Sequence, residues 1–166
     1  MTNSGVVAFG FGVPSSIVSN REIAIIAGWK ARELNAPVFT QLDVQVALGI
    51  GVTFVTEKPG SPPPTLVIAR EAVQWAKQRK INMLWISAAS PHLWRCIRDL
   101  DYAIKEAKAQ ININICPGIS NVRYTNWFCP DSTQKRTQSH DAWQKREKIL
   151  RKMPMWMYRL VTRLLG

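Results

Sequence analysis

The feature that most constrains the fold is an alternation of short apolar runs with helical stretches through residues 1–115. Five runs rich in apolar and β-branched residues are predicted as strands, at 6–10, 38–42, 52–56, 83–86 and 111–115. Helices are predicted after the first, third and fourth runs, with Ser19, Thr65 and Ser90 as cap residues. Strands that alternate with helices in this way predict parallel βαβ units. We therefore expect residues 1–116 to form a three-layer, Rossmann-like α/β domain with about five mainly parallel strands.

The chain changes character after residue 116. Residues 117–138 are rich in Gly, Asn, Ser, Thr and Pro, which predicts a loop or linker. Residues 139–166 carry apolar residues at helical spacing, which predicts two helices, with Pro154 at the first position of the second helix. Lys and Arg fill much of the remainder, so this segment is predicted to be a basic amphipathic helical tail.

The positive charge is concentrated towards this tail. Of the net charge of +11, residues 132–166 supply +7, from nine Lys and Arg against Asp141 and Glu147. Two interpretations remain open. The apolar stripe packs on the domain and the basic face is solvated, or the tail docks on an anionic membrane or a protein partner. Nucleic acid is a weaker candidate partner because no DNA- or RNA-binding motif is present.

The cysteines and the start of the chain bear on location. The first residues do not show the pattern of a signal peptide, so none is predicted, and no apolar run is long enough to span a bilayer. The odd number of cysteines fits a reducing compartment, and Cys96 falls on an apolar helix face. We expect a cytoplasmic protein, with peripheral membrane attachment through 139–166 as an alternative. The spacing of Cys116, Cys129 and His140 matches no zinc pattern, so no metal site is predicted, and the cofactor is left undetermined.

Candidate ligand-binding residues follow the predicted strands. Ligands of open parallel sheets bind at the carboxyl ends of the strands, near the point where strand order reverses. Gly10 and Gly12 after the first strand resemble a phosphate-binding loop, with Ser15 as a hydroxyl donor, although a tight turn would also need glycine. The other candidates at this edge are Asp43 after the second strand, Glu57 and Ser61 after the third, and Ser87 and Ser90 after the fourth.

The sharpest candidates are His92 and Arg95, one turn apart at a predicted helix start. The free N–H groups and dipole of a helix N-terminus favour an anion, and an arginine adds a bidentate donor. The dipole should also favour neutral His92, which would suit acid–base chemistry. His92 and Glu57 are therefore the catalytic candidates, whereas Arg95 is predicted to bind the ligand. A capping histidine and a solvated arginine are the alternative.

Residues 5–100 resemble the YdcF-like family of bacterial α/β domains. The resemblance rests on four elements in order. They are a strand ending in Gly10-Phe11-Gly12, Val55-Thr56-Glu57 followed by Gly60-Ser61, Thr65 ahead of Ala69 and Ala72, and Ile86-Ser87 leading to His92-Leu93-Trp94-Arg95. Two departures stand beside them: Gln41-Leu42-Asp43 replaces the family's Ser-Gly-Gly, and Ile68 or Ala69 falls where the family has Asn. The resemblance implies a Rossmann-like fold and a polar pocket, with nucleotides or S-adenosylmethionine as conceivable ligands.

Two functions follow as expectations. The first is binding of a small anionic ligand, phosphorylated or nucleotide-like, at the carboxyl edge of the sheet. The sequence does not decide whether that ligand is also turned over. The second is a non-catalytic interaction module whose basic tail finds an anionic membrane, protein or nucleic-acid partner. The missing Ser-Gly-Gly favours the second.

Overall fold

A computed structural model describes residues 3–47 and 49–165, without the side chain of Leu165. Its centre is a parallel sheet in which the strands follow the order β3-β2-β1-β4-β5. The strands are β1 (Ser4–Ala8), β2 (Val38–Thr40), β3 (Val52–Phe54), β4 (Met83–Ser87) and β5 (Asn112–Ile115). The predicted α/β fold with a five-stranded parallel sheet is confirmed.

The helices cover both faces of this sheet. They are α1 (Val18–Leu34), α2 (Thr65–Gln78), α3 (Ser90–Glu106), α4 (His140–Lys152) and α5 (Met155–Leu165). Because successive side chains of a strand point to opposite faces, β1 divides its residues between two cores. Val6 and Ala8 pack with Ile23 of α1. Val7 packs with Ala72 of α2 and with α3 on the other face. The result is a three-layer arrangement.

Strand order reverses between β1 and β4. The chain runs outwards from β1 through β2 to β3, then returns across the sheet to β4 beside β1. Ala8 pairs with Ser87 in the last position of the two strands, so their carboxyl ends are level. This is the topological position at which open α/β sheets bind ligands.

The three predicted cap residues, Ser19, Thr65 and Ser90, are not the N-caps of their helices. The helix α1 begins at Val18 with Ile17 at the cap position, so Ser19 lies inside the first turn. The Ser19 hydroxyl donates to the carbonyl of Phe11 at 2.8 Å, in the loop that follows β1. Thr65 and Ser90 are likewise the first residues of their helices, and no side chain caps either helix. The hydroxyl groups of Ser19 and Thr65, which were predicted to cap helices, instead make contacts with residues outside their helices.

Residues 117–138 form three short 3-10 helices, Pro117–Asn121, Tyr124–Trp127 and Lys135–Thr137. Trp127 is fully buried in the core on the α1 side of the sheet. The tail also lies against the domain, since Trp143 of α4 joins the same core. Leu150 and Tyr158 pack with Leu66 of α2. Within residues 3–47 and 49–165, no helix is both long and apolar enough to cross a bilayer.

Candidate functional site

A cavity of about 230 Å³ lies at the carboxyl ends of β1 and β4. Its floor is the loop after β1 and the start of α3. Its sides are the start of α2 and the segment 134–137, and the inward residues of α4 and α5 close it. The tail is therefore a wall of the site that the sheet topology predicts.

Three arginines surround this cavity. Arg95 on α3 is buried, Arg146 on α4 is half-buried, and Arg136 is exposed at the rim. Burial, with the charges of Arg95 and Arg136, lowers the pKa of Arg146 to about 10. Although the Arg136 side chain is exposed overall, partial desolvation of its guanidinium, with the charge of Arg95, also lowers its pKa. The arginines therefore repel one another, and an anion between them would relieve that repulsion.

One carboxylate lies close to this group. The Oε2 atom of buried Glu147 is 3.7 Å from Nη2 of Arg95. In the part of the chain that the structure describes, neither Arg136 nor Arg146 forms a salt bridge. The cavity wall thus carries an excess of positive charge.

His92 is held in its neutral form by its surroundings. Its Nδ1 atom lies 3.1 Å from Nη2 of Arg95, and its Nε2 atom lies 3.4 Å from the hydroxyl of Thr65. Because arginine can only donate, Nδ1 must accept, and the ring proton is therefore on Nε2. Burial is the main cause that lowers the pKa of His92, followed by the charges of Arg95, Arg146 and Arg136. The helix dipole was the predicted cause of the neutral form of His92, whereas burial is the main cause in the structure.

Trp143 of α4 packs against the side chains of both His92 and Arg95. Its ring stands at 85° to the His92 ring with centroids 5.4 Å apart, and the Arg95 guanidinium lies 5.1 Å from its centroid. Phe11 supports it at 4.6 Å. The Trp143 indole N–H donates to the carbonyl of Pro91 at 3.1 Å. One residue of the tail therefore positions both polar residues of α3.

Two N–H groups of the glycine loop are already paired within the protein. The N–H of Gly10 donates to Oε1 of Gln41 at 2.6 Å, and the N–H of Phe11 donates to Oδ1 of Asn20 at 2.8 Å. Gly12 has a φ of +96°, and a Cβ atom there would lie 2.7 Å from the hydroxyl of Ser132. Glycine is needed for the positive φ and for close packing of residues 132–137. Backbone conformation and packing therefore explain Gly12, which the sequence analysis compared with a phosphate-binding loop.

The remaining candidates lie outside the cavity wall. The Ser87 hydroxyl donates to the carbonyl of Ile23 at 2.9 Å and ties β4 to α1. Ser90 borders a second cavity of about 250 Å³, which Glu147 also lines. Ser15 is half-buried in the loop after β1, and Ser61 is exposed in a turn closed by its bond to Lys58.

Asp43 and Glu57 form a separate acidic pair beyond β2 and β3. The N–H of Leu42 donates to the Glu57 carboxylate. Burial raises the pKa of both acids, and the charge of Asp43 contributes to the shift of Glu57. Neither residue lines the cavity that holds His92. The structure therefore brings together Gly10, Gly12, His92 and Arg95 and separates the other predicted site residues from them.

Sequence reasoning missed Arg136, Arg146, Trp143 and Tyr158. Trp143 and Arg146 are one turn apart on α4, so the helical pattern places them on one side. The local sequence does not indicate that this side of α4 faces the edge of the sheet.

No protein-family model matches the sequence, and no curated protein shows significant similarity to it. Among the residues with described positions, no group of three or more His, Cys, Asp and Glu could hold a metal ion.

Proposed function

We propose that this chain binds a small anion that carries a phosphate or carboxylate group, in the cavity between the sheet edge and the tail. The observation that carries the proposal is the arrangement of Arg95, Arg136 and Arg146 around about 230 Å³ with Glu147 as the nearby carboxylate. Arginine presents a planar fork of donors that matches phosphate and carboxylate oxygens. A cavity with this charge excess concentrates anions.

Two helix N-termini add to this field. The helices α2 and α3 begin at the cavity with Thr65 and close to His92, and no side chain caps either of them. Unpaired N–H groups and the helix dipole favour negative charge at such ends. The Thr65 hydroxyl and the His92 ring join the two ends.

The dimensions of the cavity favour a compact ligand. A volume of about 230 Å³ is below the roughly 300–1,000 Å³ of sites for drug-sized molecules. The apolar side chains of Phe11, Ile68 and Val161 would contact a short carbon body, and Gln41 and Gln134 offer hydrogen bonds. A phosphate monoester of a short polyol fits this chemistry. The resemblance to the YdcF-like family adds nucleotides and S-adenosylmethionine to the compounds worth testing.

If the ligand is turned over, His92 is the acid–base candidate. Its Nε2 proton lies on the Thr65 side, and its ring lines the cavity. Glu57 lies outside the cavity, so His92 would act without it. A cytoplasmic location belongs to the same proposal, because Cys96, Cys116 and Cys129 are all free, as in a reducing compartment.

The test is a thermal-unfolding titration with inorganic phosphate, glycerol 3-phosphate and heparin. A ligand at 100 times its dissociation constant stabilises the folded state by about 2.7 kcal/mol, which shifts the melting temperature by several degrees. We expect a saturable shift with glycerol 3-phosphate. Arg146→Gln should abolish it because a cation of the cavity wall is lost.

Lys145→Gln is the matched control, since it removes one exposed cation from the same helix outside the cavity. It should leave the shift intact. Stabilisation by heparin alone, or an equal loss in both variants, would show that the general basicity of the tail is responsible and would overturn the proposal.

A further inference from the structure

The helix α5 has two apolar sides, of which the domain covers one. Tyr158 and Thr162 are buried against the domain. On the other side, Trp156, Leu160 and Leu164 are 62%, 51% and 87% exposed. Their spacing of four residues places them in one line along the helix, which we name the outer stripe. Water-soluble surfaces seldom align three large apolar side chains in this way.

The same two-helix tail carries exposed cations. They are Lys145, Lys148, Arg151 and Lys152 on α4 and Arg163 on α5, which we name the basic rim. Arg163 lies next to the outer stripe, about 20° from Trp156 in helical projection and on the side away from Leu160. Of the acidic residues of α4 and α5, Asp141 is exposed and Glu147 is buried. The tail therefore has an apolar line on α5, and its exposed charged residues are cationic except for Asp141.

We propose that the outer stripe and the basic rim dock on the surface of an anionic lipid bilayer. Amphipathic helices of this kind lie in the interface plane with their apolar side chains in the boundary between headgroups and acyl chains. Tryptophan is the side chain that favours this depth, which suits Trp156. The lysines and arginines would meet the phosphate and carboxylate groups of the lipids.

The charge of the surface argues against other occupants. A second copy of the chain on the outer stripe would bring two basic rims together, and like charges at an interface are unfavourable. A nucleic acid would satisfy the basic rim but would leave Leu160 and Leu164 exposed to water. An anionic bilayer is the partner that satisfies both parts of the surface.

Co-sedimentation with vesicles tests the proposal on the full chain. We expect binding to vesicles of equal parts phosphatidylcholine and phosphatidylserine, at least about tenfold tighter than binding to phosphatidylcholine alone. Added salt should release the protein because it screens the basic rim. Equal binding to both vesicle types, or no binding to either, would overturn the proposal.

Two double variants separate the outer stripe from exposed apolar residues in general. Trp156→Ser with Leu160→Ser should lose vesicle binding by about tenfold or more, because the inserted side chains are gone. Trp29→Ser with Ile25→Ser is the matched control, since these α1 residues are 73% and 49% exposed. It should bind as the parent does. None of the four residues lines the cavity. Urea unfolding of each variant reports whether the fold is intact, independently of any ligand.

Equal vesicle binding by the two double variants would overturn the proposal. So would a dimer, seen by sedimentation velocity, that the Trp156→Ser/Leu160→Ser variant dissociates while vesicles bind neither protein. That result would assign the outer stripe to contact between copies of the chain.

Discussion

At the scale of single residues, the pair formed by Arg95 and Glu147 carries the most information. Both side chains are buried, and their charged groups are 3.7 Å apart, which is longer than a hydrogen bond. Within the described part of the chain, neither oxygen of Glu147 has a hydrogen-bond partner, and neither does Nε of Arg95. Glu147 thus neutralises Arg95 only in part, and it competes with any anion that approaches the arginines.

We predict that Glu147→Gln tightens the binding of inorganic phosphate by about tenfold, which corresponds to about 1.4 kcal/mol. The substitution removes the negative charge that offsets Arg95 and keeps the size of the side chain. Without phosphate the variant should unfold at a lower urea concentration, because Arg95 retains its charge and loses its counter-ion. Calorimetric titration and urea unfolding measure the two effects.

Asp141→Asn is the control for this prediction, because the Asp141 carboxylate on the same helix is exposed. It should change neither quantity. An unchanged phosphate affinity in Glu147→Gln would mean that the Glu147 carboxylate does not repel the bound anion. That result would argue against the cavity as the anion site.

At the scale of elements, a buried polar contact holds α5 against α3. The Asp99 carboxylate is buried and accepts a hydrogen bond of 2.6 Å from the Tyr158 hydroxyl. It also accepts bonds of 2.9 and 2.8 Å from Arg98. Burial raises the pKa of Asp99, and these donors lower it. The Asp99 carboxylate, which has hydrogen bonds to both of its oxygens, therefore holds α5 against α3.

We predict that Tyr158→Phe lowers the free energy of unfolding by about 1.5–3 kcal/mol, the range for hydrogen bonds to charged groups. The Asp99 carboxylate would keep Arg98 but lose its shortest bond. Urea unfolding measures the change. Tyr124→Phe, at an exposed ring, should have no measurable effect. Equal stability of the Tyr158 variant and the parent would show that α5 is held by apolar packing alone.

The elements themselves were largely predictable, because apolar periodicity is a local property. Residues 83–86 were predicted as a strand and form β4 (Met83–Ser87). The helix starts were less predictable, because a distant loop uses the Ser19 side chain. His92 and Arg95 could be found because the topological rule points to the residues after a strand. Arg146 could not be found in this way. Its position depends on how α4 packs against the domain through Trp143, which is a tertiary contact.

At the scale of the whole molecule, the excess of positive charge is expected to make the folded state less stable in acid. The chain has twice as many Lys and Arg as Asp and Glu, 22 against 11. Burial and three arginines lower the pKa of His92 in the folded state. The unfolded chain therefore binds a proton at His92 at a pH where the folded chain does not. Acid then favours unfolding, and a fourth positive charge in the cavity would add to the repulsion.

We predict that the free energy of unfolding falls as the pH drops below about 6.5, by up to about 1.4 kcal/mol per pH unit. The loss should continue down to the lowered pKa of His92 in the folded state. Urea unfolding at a series of pH values between neutrality and mild acid measures this slope. His92→Gln should reduce it, whereas His140→Gln should retain it because His92 is untouched. A slope that persists in His92→Gln would assign it to another group.

The cavity joins parts of the chain that the ribosome makes at very different times. The bond from the N–H of Val13 to the hydroxyl of Ser132 spans 119 residues, and every strand of the sheet precedes α4. The sheet can begin to fold on the nascent chain while Trp143 and Arg146 are still untranslated. The anion affinity that we propose would therefore arise only after Arg146 has been made. A fragment that ends before Trp143 would contain every strand of the sheet but would lack two residues of the cavity wall, so the proposed ligand would not protect it.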